Sequence, residues 1–281
     1  MKNYIISASL MSLILWLPVS SMAQLSVAPT PVYIDDQTNA STFFVSNRSE
    51  APQEIRIETL FGYVVSDSLG NRSVSYDDPH GLASRDLSDM VRVFPRQFVL
   101  DGNQQRTIRV QVIPSGDMED GTYFTRLRVI SEEAGRDVED LAETVEEGEL
   151  VTRINYRFEQ GFAMAYRRGN VDTGVELRAL RVVDEEEHIS LVMELEQLGN
   201  SPFSGSQHLQ LLDDEEQVIA ERRATMGVTH DGFVRARFPK DEVPSGEYTA
   251  VARIVSDRAD VNPRDLIQTD PVTFEQTIVI P

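Results

Sequence analysis

The sequence predicts an all-β chain of two tandem sandwich domains, and three observations carry that prediction. Short runs rich in β-branched and aromatic residues recur with turn residues between them, apolar side chains fall at every second position, and helical periodicity is scarce. An alternation with period two places one face of each strand against a core.

The first element is an export signal. Lys2 precedes an apolar run from Tyr4 to Val19, and the small-residue site Ser21-Met22-Ala23 stands before Gln24. That order predicts a secretory signal peptide over residues 1–23, cleaved after Ala23. The apolar part is shorter than the ~20 residues that a spanning helix requires, and no later stretch approaches that length. The expectation is therefore a protein released outside the cytoplasm, in the periplasm, with no membrane insertion.

From Leu25 onward the strands follow in series: LSVAPTPVYID (Leu25 to Asp35), STFFVSN (Ser41 to Asn47), Gln53 to Tyr63, Val91 to Leu100 and Gln105 to Ile113. Ile55, Ile57 and Thr59 alternate, as do Ile108, Val110 and Val112. Ser131 to Leu150 then carries nine Asp or Glu in twenty residues. It reads as a mobile, solvated loop, with helical spacing only at Val138, Leu141, Ala142 and Val145. Strand character resumes from Val151 to Tyr166.

After a boundary near Arg167 to Asp172 a second series begins: Val175 to Val183, His188 to Gln197, Gln207 to Leu212, Gln217 to Arg222, Phe233 to Phe238, Glu247 to Val255 and Pro271 to Ile280. Seven short strands in about a hundred residues suit an immunoglobulin-like sandwich. Gly121-Thr122-Tyr123 and Gly246-Glu247-Tyr248 each open a late strand, where such sandwiches carry a corner tyrosine. The predicted organisation is residues 24–168 and 169–281 as two immunoglobulin-like domains.

Composition narrows function. With 46 Asp and Glu against 26 Lys and Arg, the net charge of −20 repels nucleic acid and anionic lipid. The absence of cysteine rules out thiol catalysis, cysteine-based zinc sites and iron–sulfur clusters. His80, His188, His208 and His230 are isolated in sequence, without the paired spacing of metal ligands. Asp35-Asp36, Glu185 to Glu187 and Asp213 to Glu216 sit in turns as solvated charge. No cofactor, no metal and no enzymatic activity are expected; the chemistry is that of a binding protein.

Several segments match, in order, the PapD-like periplasmic chaperones of chaperone–usher pilus assembly. They are LSVAPTPVYID, STFFVSNRS (Ser41 to Ser49), VRVFPRQFVLDGNQQRTIRV (Val91 to Val110) and AMAYR (Ala163 to Arg167). The Phe94-Pro95 step, the Asp101-Gly102 turn and Arg109 fall where that family has its Pro-Pro step, Pro-Gly turn and strand arginine. GNSPFSG (Gly199 to Gly205) and SGEYTA before a late strand fit its second domain more loosely.

The resemblance implies donor-strand complementation, in which the last strand of the first domain lends alternate apolar side chains to a fimbrial subunit that lacks one strand, before delivery to an outer-membrane usher. In that strand Ile154, Tyr156, Phe158, Phe162, Met164 and Tyr166 share one face, and Arg153, Asn155, Arg157 and Glu159 the other. Carried over, the subunit-binding positions are Ile154, Tyr156 and Phe158, while Phe162, Met164 and Tyr166 read as core.

The family's two carboxylate-binding residues fall on Pro31 and Ala163, and its acidic inter-domain residue falls on Gly121; of that inter-domain network only Arg167 persists. Arg153 or Arg157 is left as a possible carboxylate anchor. An exported structural or adhesive envelope protein of two self-satisfied immunoglobulin-like domains stays open as the alternative.

Overall fold

A computed structural model describes residues 25–134 and 156–281. The predicted signal peptide, most of the acidic segment, Arg153 and Ile154 lie outside the described residues.

The first lobe is formed by β1 (Leu25–Ala28), β2 (Val32–Asp35), β3 (Ala40–Asn47), β4 (Gln53–Leu60), β5 (Tyr63–Ser66), β6 (Arg72–Ser75), β7 (Val91–Phe94), β8 (Gln97–Leu100), β9 (Gln105–Val112), β10 (Gly121–Glu133) and β11 (Arg157–Arg168). Two sheets face each other, ordered β1-β3-β9-β7 and β2-β11-β10-β4-β8. Their inward rows, among them Phe43, Ile55, Ile57, Ile108, Leu127 and Tyr166, are fully enclosed. Each such side chain contributes about 1.5–3 kcal/mol on leaving water.

Two segments that read as continuous strands in the sequence divide between these sheets. Val91 to Leu100 breaks at Pro95: β7 pairs with β9 in one sheet and β8 with β4 in the other. Proline has no amide proton to continue the ladder, so the chain crosses the sandwich there. Leu25 to Asp35 divides in the same way around Pro29 and Pro31, with β1 beside β3 and β2 beside β11. The predicted strand Gln53 to Tyr63 also ends early, at Leu60. Tyr63 instead opens the small hairpin β5-β6, which the sequence reading missed.

The second lobe holds β12 (Thr173–Asp184), β13 (His188–Gly199), β14 (Phe203–Leu212), β15 (Val218–Val228), β16 (Gly232–Pro239), β17 (Gly246–Val255) and β18 (Val272–Ile280). Its sheets run β12-β13-β16 and β15-β14-β17-β18. These are the seven anticipated strands. Buried apolar residues form two clusters, one drawn from Leu25 to Tyr166 and one from Val175 to Ile280.

Both corner tyrosines take the expected form. Tyr123 Oη donates to the carbonyl of Glu119 at 3.2 Å and Tyr248 Oη to that of Pro244 at 2.9 Å, each four residues upstream.

Polar contacts join the lobes. Thr122 donates its amide to Asn200 O at 3.2 Å and its hydroxyl to Ser201 Oγ at 2.8 Å. Gly121 beside it has φ +133°, and a Cβ there would lie 2.8 Å from Asn200 O. A side chain at this position would force its neighbours to shift. The β5-β6 hairpin also reaches the second lobe: the Phe233 amide donates to Ser66 Oγ at 2.8 Å and Arg72 Nη2 to Gly227 O at 3.0 Å.

Candidate functional site

The site is built on the last strand of the first lobe. β11 pairs antiparallel with β10 along its whole length, from Arg168 opposite Gly121 to Arg157 opposite Glu132. On its other side β2 lies parallel to it and covers only Met164 to Arg167. The stretch from Arg157 to Ala163 therefore has a strand on one side and, among the described residues, none on the other. It is an open sheet edge whose backbone groups can receive another strand.

Along β11 the inward row passes out from under its own lobe. Tyr166 and Met164 are 0% exposed and Phe162 6%, whereas Phe158 is 44% and Tyr156 72% exposed. Phe162 is held edge-on against Phe43, with ring centroids 5.3 Å apart. The expected division into three core positions and a protruding set thus appears at Phe158 and Tyr156. Tyr156 lies beside a shallow recess lined by Ser49, Ala51, Gln53 and Glu133. Ile154 lies outside the described residues.

Arg157 is already matched. Its Nη2 lies 2.7 Å from Glu159 and its Nε 3.5 Å from Glu132. The same carboxylate cluster holds Arg128 through Glu58, and that hydrogen bond keeps the Glu58 carboxyl below its ordinary value despite partial burial. Arg153, the other proposed anchor, lies outside the described residues. Arg167 crosses to the second lobe, where it donates to the carbonyl of Asp265, and its guanidinium lies 4.9 Å from the Tyr33 ring centroid. Burial lowers its proton affinity relative to a free guanidinium.

Where the open edge stops, a cavity of about 310 Å³ begins between the lobes. Pro31 and Ala163 line it, and so do four arginines: Arg72 from β6, Arg126 from β10, Arg167 from β11 and Arg258 from the loop after β17. Among the described residues no aspartate or glutamate lines it, in a chain where acids outnumber bases 46 to 26.

Arg258 is matched by Asp260, to which Nε and Nη2 donate at 3.0 and 2.5 Å. Among the described residues Arg72 donates to the Gly227 carbonyl; burial, then the neighbouring Arg258 charge, lower its proton affinity. Arg126 Nη2 donates to Gly161 O at 3.1 Å, but its Nε is buried without a partner. A buried donor with no acceptor costs about 1–3 kcal/mol.

The sequence reading missed Arg72, Arg126 and Arg258. They come from three strands or loops in two lobes and share no motif, so only the fold brings them together. It also missed that His80 and His230, isolated in sequence, stack ring on ring at 3.6 Å. The other two histidines stay apart, with His208 Nε2 2.7 Å from Glu221.

No protein-family model matches this sequence, and no curated protein matches it. Solved structures do. Over 92% of its length the chain is similar to the YadV chaperone, at 10% identity, 100% of that chain and a TM-score of 0.47. Over 91% it is similar to a chain of the Salmonella enterica complex of SafA pilin with the SafB chaperone, at 13% identity, 97% of that chain and a TM-score of 0.46. Over 90% it is similar to a chain of the CsuC–CsuE chaperone–tip adhesion subunit complex of Acinetobacter baumannii, at 12% identity, 98% of that chain and a TM-score of 0.42. The strand order of the described residues is itself that of two all-β sandwiches.

Proposed function

We propose that this protein is a periplasmic chaperone that binds an incomplete immunoglobulin-like fimbrial subunit by donating β11 to it, and hands that subunit to an outer-membrane usher. The observation that carries the reading is the open edge from Arg157 to Ala163, with Phe158 and Tyr156 exposed on the row that continues the lobe's own core. An edge of this kind invites addition of a strand, with the main chain supplying affinity and alternate side chains supplying fit.

In this reading the guest strand runs parallel to β11, as β2 does. β2 is parallel to β11 and begins at Val32, opposite Met164. A guest strand running the same way ends against Pro31, and its terminal carboxylate enters the arginine-lined cavity. In this reading Arg72 and Arg126, which have no carboxylate partner among the described residues, take the place of the two anchors that the resembled family carries at Pro31 and Ala163. Burying Ile154, Tyr156 and Phe158 contributes about 1.5–3 kcal/mol each, and one charged hydrogen bond about 1.5–3 kcal/mol. Strand donation is thus the larger part.

The test is capture of a subunit from periplasmic extract. Tyr156→Asp places a charge on the donated row, leaves the isolated protein folded by circular dichroism, and abolishes capture. Equal capture by the variant removes the reading and leaves a self-satisfied envelope protein in its place.

A further inference from the structure

One polar residue interrupts the apolar row of β11. The side chains that face the core are Tyr123, Thr125, Leu127, Val129 and Ser131 on β10, and Phe158, Gln160, Phe162, Met164 and Tyr166 on β11. Gln160 is partly buried. It lies opposite Val129, which is fully enclosed, and stands between Phe162, which belongs to the core, and Phe158, which is exposed. Its other side is the open edge, because β2 covers β11 only from Met164 onward.

Among the described residues every other polar side chain on these two rows is served by the lobe itself. Tyr123 Oη donates to Glu119 O at 3.2 Å and Thr125 Oγ1 to Leu60 O at 2.9 Å. Ser131 Oγ donates to Gln53 Oε1 at 2.9 Å and Tyr166 Oη to Asn39 Oδ1 at 2.8 Å. The Gln160 carboxamide has no hydrogen-bond partner among the described residues.

In the free protein the carboxamide is within reach of water. A strand added at the edge removes that water. A carboxamide carries an acceptor oxygen and two N–H donors, and such a group shut into a dry interface without partners weakens binding by more than its hydrogen bonds strengthen it. An apolar guest surface that suits Phe158 is therefore penalised one step along the same row. A slip of the guest by two residues keeps each of its side chains on the same face, so alternation by itself does not oppose it. A polar group set in an apolar seam does, fixing register and partner together. The matching group is neutral, since burying an ion beside an uncharged amide costs far more than burying a hydroxyl or a second amide.

We propose that Gln160 selects the guest: the subunit that is accepted sets a neutral hydrogen-bonding side chain, Ser, Thr, Asn or Gln, against Gln160, and subunits with an apolar side chain at that point are refused. This rests on strand donation by β11 and asks more of the guest than a missing strand.

The probe is the subunit that co-purifies with the unsubstituted protein from periplasmic extract. Gln160→Met keeps the length of the side chain and removes its polar atoms. The unsubstituted protein and Gln160→Met, carrying different tags, compete for the subunit, and the ratio of the two complexes is measured. Each Ser, Thr, Asn and Gln on the two subunit strands that border the donated strand is then replaced singly by an apolar residue of similar size. One replacement shifts the ratio about tenfold toward Gln160→Met, because it leaves the Gln160 carboxamide without its partner and does not affect the substituted protein; the others leave the ratio unchanged. A ratio that no replacement moves, with capture still abolished by Tyr156→Asp, overturns selection by Gln160 and leaves strand donation standing. Capture that survives Tyr156→Asp overturns strand donation and the role of Gln160 with it.

Discussion

Tyr123 and Tyr248 show how much a single side chain decides. Each ring is packed at the start of a long strand while its hydroxyl ties back to a carbonyl four residues upstream, closing the turn that feeds the strand. Replacing Tyr248 by Phe keeps the ring and leaves the Pro244 carbonyl without that donor. The expected loss is about 0.5–1.5 kcal/mol, read as a lowered denaturant midpoint with an unchanged slope. These tyrosines were legible because the Gly-x-Tyr spacing and the turn are local. His80 and His230 were not, since 150 positions of chain separate rings that the fold stacks.

At the scale of the element, β11 is one strand with two environments. Its inner half continues the core at Phe162, Met164 and Tyr166, and its outer half carries Phe158 into the open, with Tyr156 exposed just before it. Truncation should therefore separate stability from binding. Phe162→Ala removes a buried ring that packs against Phe43 and costs about 3–5 kcal/mol of stability in thermal or denaturant melts. Phe158→Ala leaves the melting transition within about 0.5 kcal/mol of the parent and weakens subunit capture. Equal destabilisation by both would mean that Phe158 belongs to the core. The alternation along β11 was legible in sequence. The division of that row between core and exposed positions was expected from the resemblance and not from the alternation itself; in the fold it follows where β2 begins to cover the strand's other edge. The divided strand Val91 to Leu100 shows the same limit: Pro95 was visible, but which sheet receives each half is settled by pairing with β9 and β4.

The whole molecule assembles what no segment contains. Arg72, Arg126, Arg167 and Arg258 meet at the end of the open edge although they span most of the chain, and they do so in a strongly acidic protein. If the cavity takes a terminal carboxylate, a subunit's last-strand peptide with a free C-terminus binds at least tenfold more tightly than the same peptide amidated, since a charged hydrogen bond contributes about 1.5–3 kcal/mol. Isothermal titration measures the difference, and Arg72→Gln reduces it. Equal affinity for acid and amide would leave strand donation standing and remove the anchor.

The sequence by itself determined the all-β class, the seven strands of the second lobe, both corner tyrosines and the apolar row of β11. All of these are written in period-two alternation and local turn chemistry, which act over a few residues. Tertiary structure alone decided where β2 stops covering β11, which arginines share a cavity and which histidines stack. Those outcomes depend on contacts between residues far apart in the chain, whose geometry exists only once both lobes have packed.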